Sequence, residues 1–147
     1  MIENKNAKRN YSIKETLEVG IVLLGEEVKS VKENRADLKD SFVKVMNQEL
    51  WLINTNISKY KFSNNKTYDP VRTRKLLIKR SELTTLESKT KQWGMVLVPL
   101  KMYLKHNKVK VLVGVGRGLK RFEKKNEAKE KTLNLELHRE KREYMVK

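Results

Sequence analysis

Three places in this chain combine residue types that could do chemistry, and the spacing of each argues against it. Gly114-Val115-Gly116-Arg117-Gly118 has the glycine density of a phosphate-cradling loop, but it lacks the Gly-Lys-Ser/Thr ending and runs into charged residues instead of an apolar helix. A hinge at Gly116 and Gly118 is the better reading. Glu26-Glu27 supplies two carboxylates, yet adjacent residues on a helix diverge by about 100°, and acids in a first turn are what the helix dipole favours. His106 and His138 have no second His or carboxylate at metal-ligand spacing. The chain has no Cys, which removes thiol catalysis, zinc ribbons and disulfide frameworks and suits a reducing compartment. The expectation is a non-enzyme without metal or cofactor.

Charge interleaved with aromatic rings is the more productive signal. The 147 residues carry a formal +16, and the sequence pI is near 10.0. Eleven Lys or Arg and six Glu between 117 and 147 give the tail +5, leaving +11 on the preceding 116 residues. Charge this far from zero concentrates polyanions around the whole molecule and puts nucleic acid ahead of membrane surfaces among partners. Lys and Arg neutralise phosphates, while Tyr and Phe stack on unpaired bases. Lys8, Arg9 and Tyr11 form one such cluster, and Arg72, Arg74, Lys75, Lys79 and Arg80 form a second. Phe42 and Trp51 lie on apolar hairpin faces and read as core. No apolar run approaches the roughly 18 residues of a membrane span, and Met1-Ile2-Glu3-Asn4-Lys5 lacks the apolar stretch of a signal peptide, so a cytoplasmic location is expected.

The elements that must position these residues follow from periodicity. Residues 5–10 have no apolar face and read as an extended basic arm. Residues 16–24 are rich in β-branched side chains and form a strand, and residues 25–33 form a helix with Val28 and Val31 inward. Phe42, Val43 and Val45, then Asn47-Gln48, then residues 50–53 make a hairpin. Residues 58–70 form a loop. Periodicity leaves Leu76-Leu77-Ile78 open between a short strand and a helix start. Ser81 caps a helix through Leu83 and Leu86 that stops at Gly94. Residues 95–104 and 109–115 pair across His106-Asn107-Lys108. Six or so short strands with two non-alternating helices predict a mainly β fold with flanking helices, a small Greek-key barrel.

Six collinear blocks then resemble a known family. They run from Tyr11-Ser12-Ile13-Lys14-Glu15-Thr16-Leu17-Glu18-Val19-Gly20-Ile21-Val22-Leu23 through Gly25-Glu26-Glu27-Val28-Lys29-Ser30-Val31 to Asn34-Arg35-Ala36-Asp37-Leu38-Lys39-Asp40-Ser41-Phe42. Asp69-Pro70-Val71-Arg72-Thr73-Arg74-Lys75-Leu76-Leu77, Leu97-Val98-Pro99-Leu100-Lys101-Met102-Tyr103, and Val109-Lys110-Val111 with Gly114-Val115-Gly116-Arg117-Gly118 complete the set. In this order they resemble the small protein B family, the partners of transfer-messenger RNA in bacterial ribosome rescue.

The resemblance implies a barrel of the oligonucleotide-binding type over residues 11–116, a basic arm at 1–10, and a tail at 117–147 that is disordered when free and helical in the empty mRNA channel. It also implies no enzymatic activity and no cofactor. The implied partners are transfer-messenger RNA, held as a monomer in a one-to-one complex, the ribosome, and elongation factor Tu indirectly through the charged RNA. Carried over by motif, Tyr11, Glu18, Leu77 and Lys110 fall at RNA-binding positions. Lys8, Arg9, Lys29, Arg74 and Lys75 join them as basic neighbours, with Glu18 expected to position Lys8 or Arg9. Arg117, Lys120, Arg121, Lys124, Lys125, Lys129 and Lys131 are the implied ribosome contacts of the tail. The chain departs from the family in reading Lys8-Arg9 where many members have Arg-His, Glu123-Lys124-Lys125 for Asp-Lys-Arg, and His106-Asn107-Lys108, expected as a longer loop, for an Asn-Gly turn.

Overall fold

The structure, a computed structural model, describes residues 1–119. In chain order the elements are β1 (Ile2–Glu3), α1 (Ala7–Asn10), β2 (Tyr11–Ile21), α2 (Gly25–Lys32), β3 (Ala36–Asp37), β4 (Phe42–Met46), β5 (Glu49–Ile53), β6 (Asn56–Ile57), β7 (Arg74–Leu77), α3 (Arg80–Gln92), β8 (Val96–Lys105) and β9 (Lys108–Gly118). The sheet runs β1-β8-β4-β5-β7-β2-β9, all pairs antiparallel, and β9 pairs back onto β8. Six strands therefore close on themselves, and β1 lies on the edge of β8 beyond the point where β4 leaves it. Closure removes the open edges that a flat sheet of this size presents. β3 and β6 form a separate two-stranded ribbon.

Alternation drives this closure. Val109, Val111, Val113 and Val115 all point inward from β9, meeting Val19, Val43, Leu50, Leu52, Leu76, Leu97 and Met102, while α3 adds Leu83 and Leu86. Each such side chain contributes about 1.5–3 kcal/mol by burial. The barrel bends at two bulges, where the register shifts past Lys14 in β2 and past Leu100 in β8. Both hairpin tips are two-residue turns with positive φ at each centre: 51° and 60° at Asn47 and Gln48, 52° and 64° at His106 and Asn107. Such turns match the right-handed twist of paired strands. The second tip is tighter than the expected loop, since Lys105 and Lys108 face each other directly.

Several expectations are corrected. The start of the chain is no extended arm: Ile2 pairs with Met102, and Ala7, buried in α1, anchors the turn into β2. Apolar content of two residues suffices because each fills a specific gap. The α3 helix begins at Arg80, with Lys79 at the cap position and Ser81 inside the first turn, and the chain leaves it through Gly94 at φ +63°. Leu76 lies in a strand, β7. Phe42 is 43% exposed, and Trp51 is half-buried with its indole N–H donating to the Met46 carbonyl at 3.3 Å.

Gly116 is not a hinge either. It sits inside β9 between Ile13 and Val96, and a Cβ there meets the Ser12 carbonyl oxygen at 2.0 Å. The missing side chain lets two backbones approach. We expect Gly116→Ala to destabilise the barrel by about 2 kcal/mol, an overpacking cost, measured as a lowered denaturant midpoint; a neutral substitution restores the hinge reading. Gly118, the last residue of β9, pairs with Tyr11, and the space where a Cβ would sit is open.

Candidate nucleic-acid interface

Antiparallel register places directly opposed residues on the same face of a sheet. On β2, Gly20 opposes Leu77 of β7 on one side and Lys110 of β9 on the other, and Lys110 in turn opposes Tyr103 of β8. Leu77, Gly20, Lys110 and Tyr103 thus form one row across four strands, roughly 14 Å wide at the usual strand spacing. The next row holds Glu18, Leu112 and Lys101. Three positions carried over from the family resemblance, Glu18, Leu77 and Lys110, meet on this outward face. The missing side chain of Gly20 leaves a trough of about 300 Å³, walled by Leu77, Val28, Lys108 and Lys110. Leu77, half-exposed at 51%, closes one side of it, 3.3 Å from where a Cβ on Gly20 would sit.

The electrostatics of the face centre on Glu18. It accepts a hydrogen bond from the Tyr103 hydroxyl and a second from Lys105 Nζ at 3.2 Å. These two bonds, Tyr103 first, hold its carboxyl below the ordinary value, with Lys110 adding a weaker pull in the same direction. Glu18 therefore positions Tyr103 and Lys105, not Lys8 or Arg9 as expected, because α1 lies at the other end of β2. Burial and then the bond to ionised Glu18 push the Tyr103 phenol up to about 12. Glu18→Gln removes that negative charge, so the Tyr103 phenol should fall part of the way back toward 10 in a tyrosinate absorbance titration. A Tyr103 titration identical in the variant contradicts this pairing.

Cations crowd the adjoining hairpin tip. Lys105 and Lys108 are directly opposed, an arrangement that costs stability in a sheet, and Lys110 follows two pairs later. A polyanion laid across the tip relieves that repulsion.

The other expected residues scatter. Lys75 lies two residues from Leu77 on β7, hence on the same face, and its ammonium is 3.4 Å from Glu49. Tyr11, half-buried, is seven residues from Glu18, roughly 23 Å along the strand, and the exposed Lys8, Arg9 and Arg117 surround that end. Arg117 donates to the Trp93 carbonyl at 3.4 Å. Lys29 projects from α2 to 5.3 Å above the Tyr60 ring.

Arg74 is fully buried and takes no part in any surface. Its guanidinium donates to Glu27 Oε2 at 2.8 Å, to the Thr55 carbonyl at 2.7 Å, to the Arg72 and Pro70 carbonyls, and to the Tyr68 hydroxyl. Arg72 pairs with the other oxygen of the same carboxylate. Burial alone pushes the Glu27 carboxyl up, but Arg72, the Leu24 amide at 2.9 Å and Arg74 outweigh it and hold it below the ordinary value. This cluster fastens α2 and residues 58–73 to the barrel.

Lys101, Tyr103, Lys105 and Lys108 are functional candidates that residue clustering did not single out. For the first three the signal was present as a cation and aromatic alternation at period two along β8. The tail positions Lys120, Arg121, Lys124, Lys125, Lys129 and Lys131 lie outside the described residues. Among the described residues, no group of three or more His, Cys, Asp or Glu could hold a metal ion, and no helix is long and apolar enough to cross a membrane.

A closed antiparallel barrel with flanking helices and a basic, aromatic-bearing outer face is a barrel of the oligonucleotide-binding type. The family described as SmpB protein matches residues 1–143. An SsrA-binding protein of Staphylococcus carnosus is 42% identical over 139 residues, 95% of this chain and 89% of the relative. One of Lactobacillus gasseri is 44% identical over 137 residues, 93% and 91% of the two chains. A chain solved in work described as "tmRNA-SmpB: a journey to the center of the bacterial ribosome" is 41% identical, with a TM-score of 0.67 over 84% of this chain and 90% of that one. The chain belongs to the SmpB family, the small protein B of the resemblance above.

Proposed function

We propose that this protein binds the tRNA-like domain of transfer-messenger RNA and carries it to stalled ribosomes for trans-translation, which releases them and tags the unfinished peptide for degradation. The observation that carries the reading is the Leu77, Gly20, Lys110 and Tyr103 row beside a like-charged hairpin tip, on the barrel of a family whose relatives are named for binding this RNA. Lys110, Lys108 and Lys101 neutralise phosphates, Leu77 and the Gly20 trough receive the apolar face of a sugar or base, and Tyr103 presents a ring and hydroxyl held in place by Glu18. Shape, phosphate and 2′-OH contacts of this kind suit folded RNA. The Tyr11 end, with Lys8 and Arg9, extends the grip. The protein acts by binding, in the cytoplasm, as one copy per RNA, and meets elongation factor Tu through the charged RNA.

In this reading the tail from residue 117 occupies the empty mRNA channel, with Arg117 and the tail lysines against ribosomal RNA. A chain truncated after Gly118 should bind transfer-messenger RNA within about threefold of full length yet support no tagging in a strain lacking its own copy. Tagging by the truncated chain refutes the tail's role, and loss of RNA binding refutes the division of labour.

A further inference from the structure

The loop between β6 and β7 carries an aromatic and basic cluster that the barrel face does not use. The segment 59–68 contains Lys59, Lys61 and Lys66 and no acid. Phe62 is 70% exposed, Tyr60 meets it edge to face with ring centres 5.5 Å apart, and Lys61 Nζ lies 5.0 Å from the Phe62 ring centre. Lys29 covers the Tyr60 ring at 5.3 Å. An apolar ring this open to water, on a loop that could bury it, needs a reason.

The loop is braced from below. Ser63 donates to one oxygen of Glu26 and Asn65 to the other, the latter at 3.2 Å, while the Ser63 amide donates to the Tyr60 carbonyl at 2.9 Å. The Tyr68 hydroxyl donates to the Ile57 carbonyl at 2.7 Å and receives Arg74. Polar side chains face inward to these anchors while the rings and cations face outward. An exposed ring with cations beside it is the arrangement that stacks an unpaired base and neutralises its phosphates. Apolar protein partners are disfavoured, because Lys29 and Lys61 at the rings would have to be desolvated with them.

The platform also adjoins the trough. On α2, Val28 lines the trough and its neighbour Lys29 reaches Tyr60, so the two surfaces lie on adjacent flanks of one helix. We propose that Phe62, supported by Tyr60, Lys29 and Lys61, stacks an unpaired base of the same RNA that the Leu77 to Tyr103 row grips. This rests on the function proposed above and extends its footprint around α2.

The test uses the full chain and transfer-messenger RNA carrying photoreactive 4-thiouridine. Irradiation should cross-link a uridine to the peptide holding residues 59–66. Phe62→Ala should remove that cross-link and weaken affinity roughly 5- to 150-fold, the effect of one lost stacked base, with an unchanged melting temperature because the ring is exposed. Phe62→Trp should keep both. Affinity of Phe62→Ala within twofold of the parent, or cross-links confined to β2, β8 and β9, overturns the platform. A cross-link at 59–66 that appears only when ribosomes are added overturns the assignment to the same RNA. If the parent chain binds bulk tRNA as tightly as transfer-messenger RNA while Phe62 still cross-links, the proposed function fails and the platform stands.

Discussion

Replacing Arg74 by Ala should lower the stability of the barrel by about 3–5 kcal/mol, the cost of removing one partner of a buried ion pair. The guanidinium makes bonds to Glu27, Thr55, Arg72, Pro70 and Tyr68, and every one of these groups is left short of a donor in the variant. Arg72 cannot compensate, since it reaches the other oxygen of Glu27 from a partly exposed position. Urea denaturation followed by circular dichroism measures the loss directly; a loss under about 1 kcal/mol contradicts the clamp, since surface substitutions rarely exceed 0.5 kcal/mol.

The same cluster sets an acid limit. Glu27 has a folded pKa below its unfolded value, so its stabilising contribution is complete above the ordinary carboxyl range and is lost as pH falls through the lowered folded value. In Arg74→Ala the carboxyl loses a cation, its folded pKa rises, and the acid unfolding edge should move to higher pH. An unmoved edge shows that Arg72 and the Leu24 amide hold Glu27 without help.

The second large effect is on RNA affinity. Substituting Lys101, Lys108 and Lys110 together by Ala should reduce the slope of log affinity against log salt by about 2.7, at about 0.9 per phosphate contact. At 0.1 M salt, relative to 1 M, that slope corresponds to roughly 500-fold weaker binding. Stability should hold or rise, because Lys108 no longer opposes Lys105 across the hairpin. A parallel loss of melting temperature reassigns these lysines to structure, and an unchanged salt slope removes them from the interface.

Both hairpins were legible because alternation and turn residues agree there: Asn47-Gln48 and His106-Asn107 lie between runs whose apolar residues recur at period two. The barrel followed from their number and order. The face was less legible, because a row such as Leu77, Gly20, Lys110 and Tyr103 is built by register across four strands, and pairing partners far apart in sequence leave no local pattern. Family motifs supplied Glu18, Leu77 and Lys110, whereas the bonds of Tyr103 and Lys105 to Glu18 needed the ladder.

Arg74 shows a different failure. Arginine is mostly exposed in proteins, so clustering with Arg72 and Lys75 suggested a surface. Period two already placed it in phase with Leu76, which is buried in the core beside it, and the buried acid that neutralises it, Glu27, lies 47 residues away. Gly116 misled for a related reason. Glycine in a charged stretch reads as freedom, but here it permits the close approach of β2 and β9 at Ser12. The N-terminal residues carry too few apolar groups to show a period, yet Ile2 and Ala7 are each buried.

The central claim is preference for one RNA, so the decisive measurement is equilibrium binding of the full chain to transfer-messenger RNA with excess bulk tRNA as competitor, at about 0.15 M salt, where the screening length is near 8 Å. Tight binding that survives the competitor is the predicted result. Displacement by an equal amount of tRNA contradicts the account and reduces this face to a generic polyanion-binding surface.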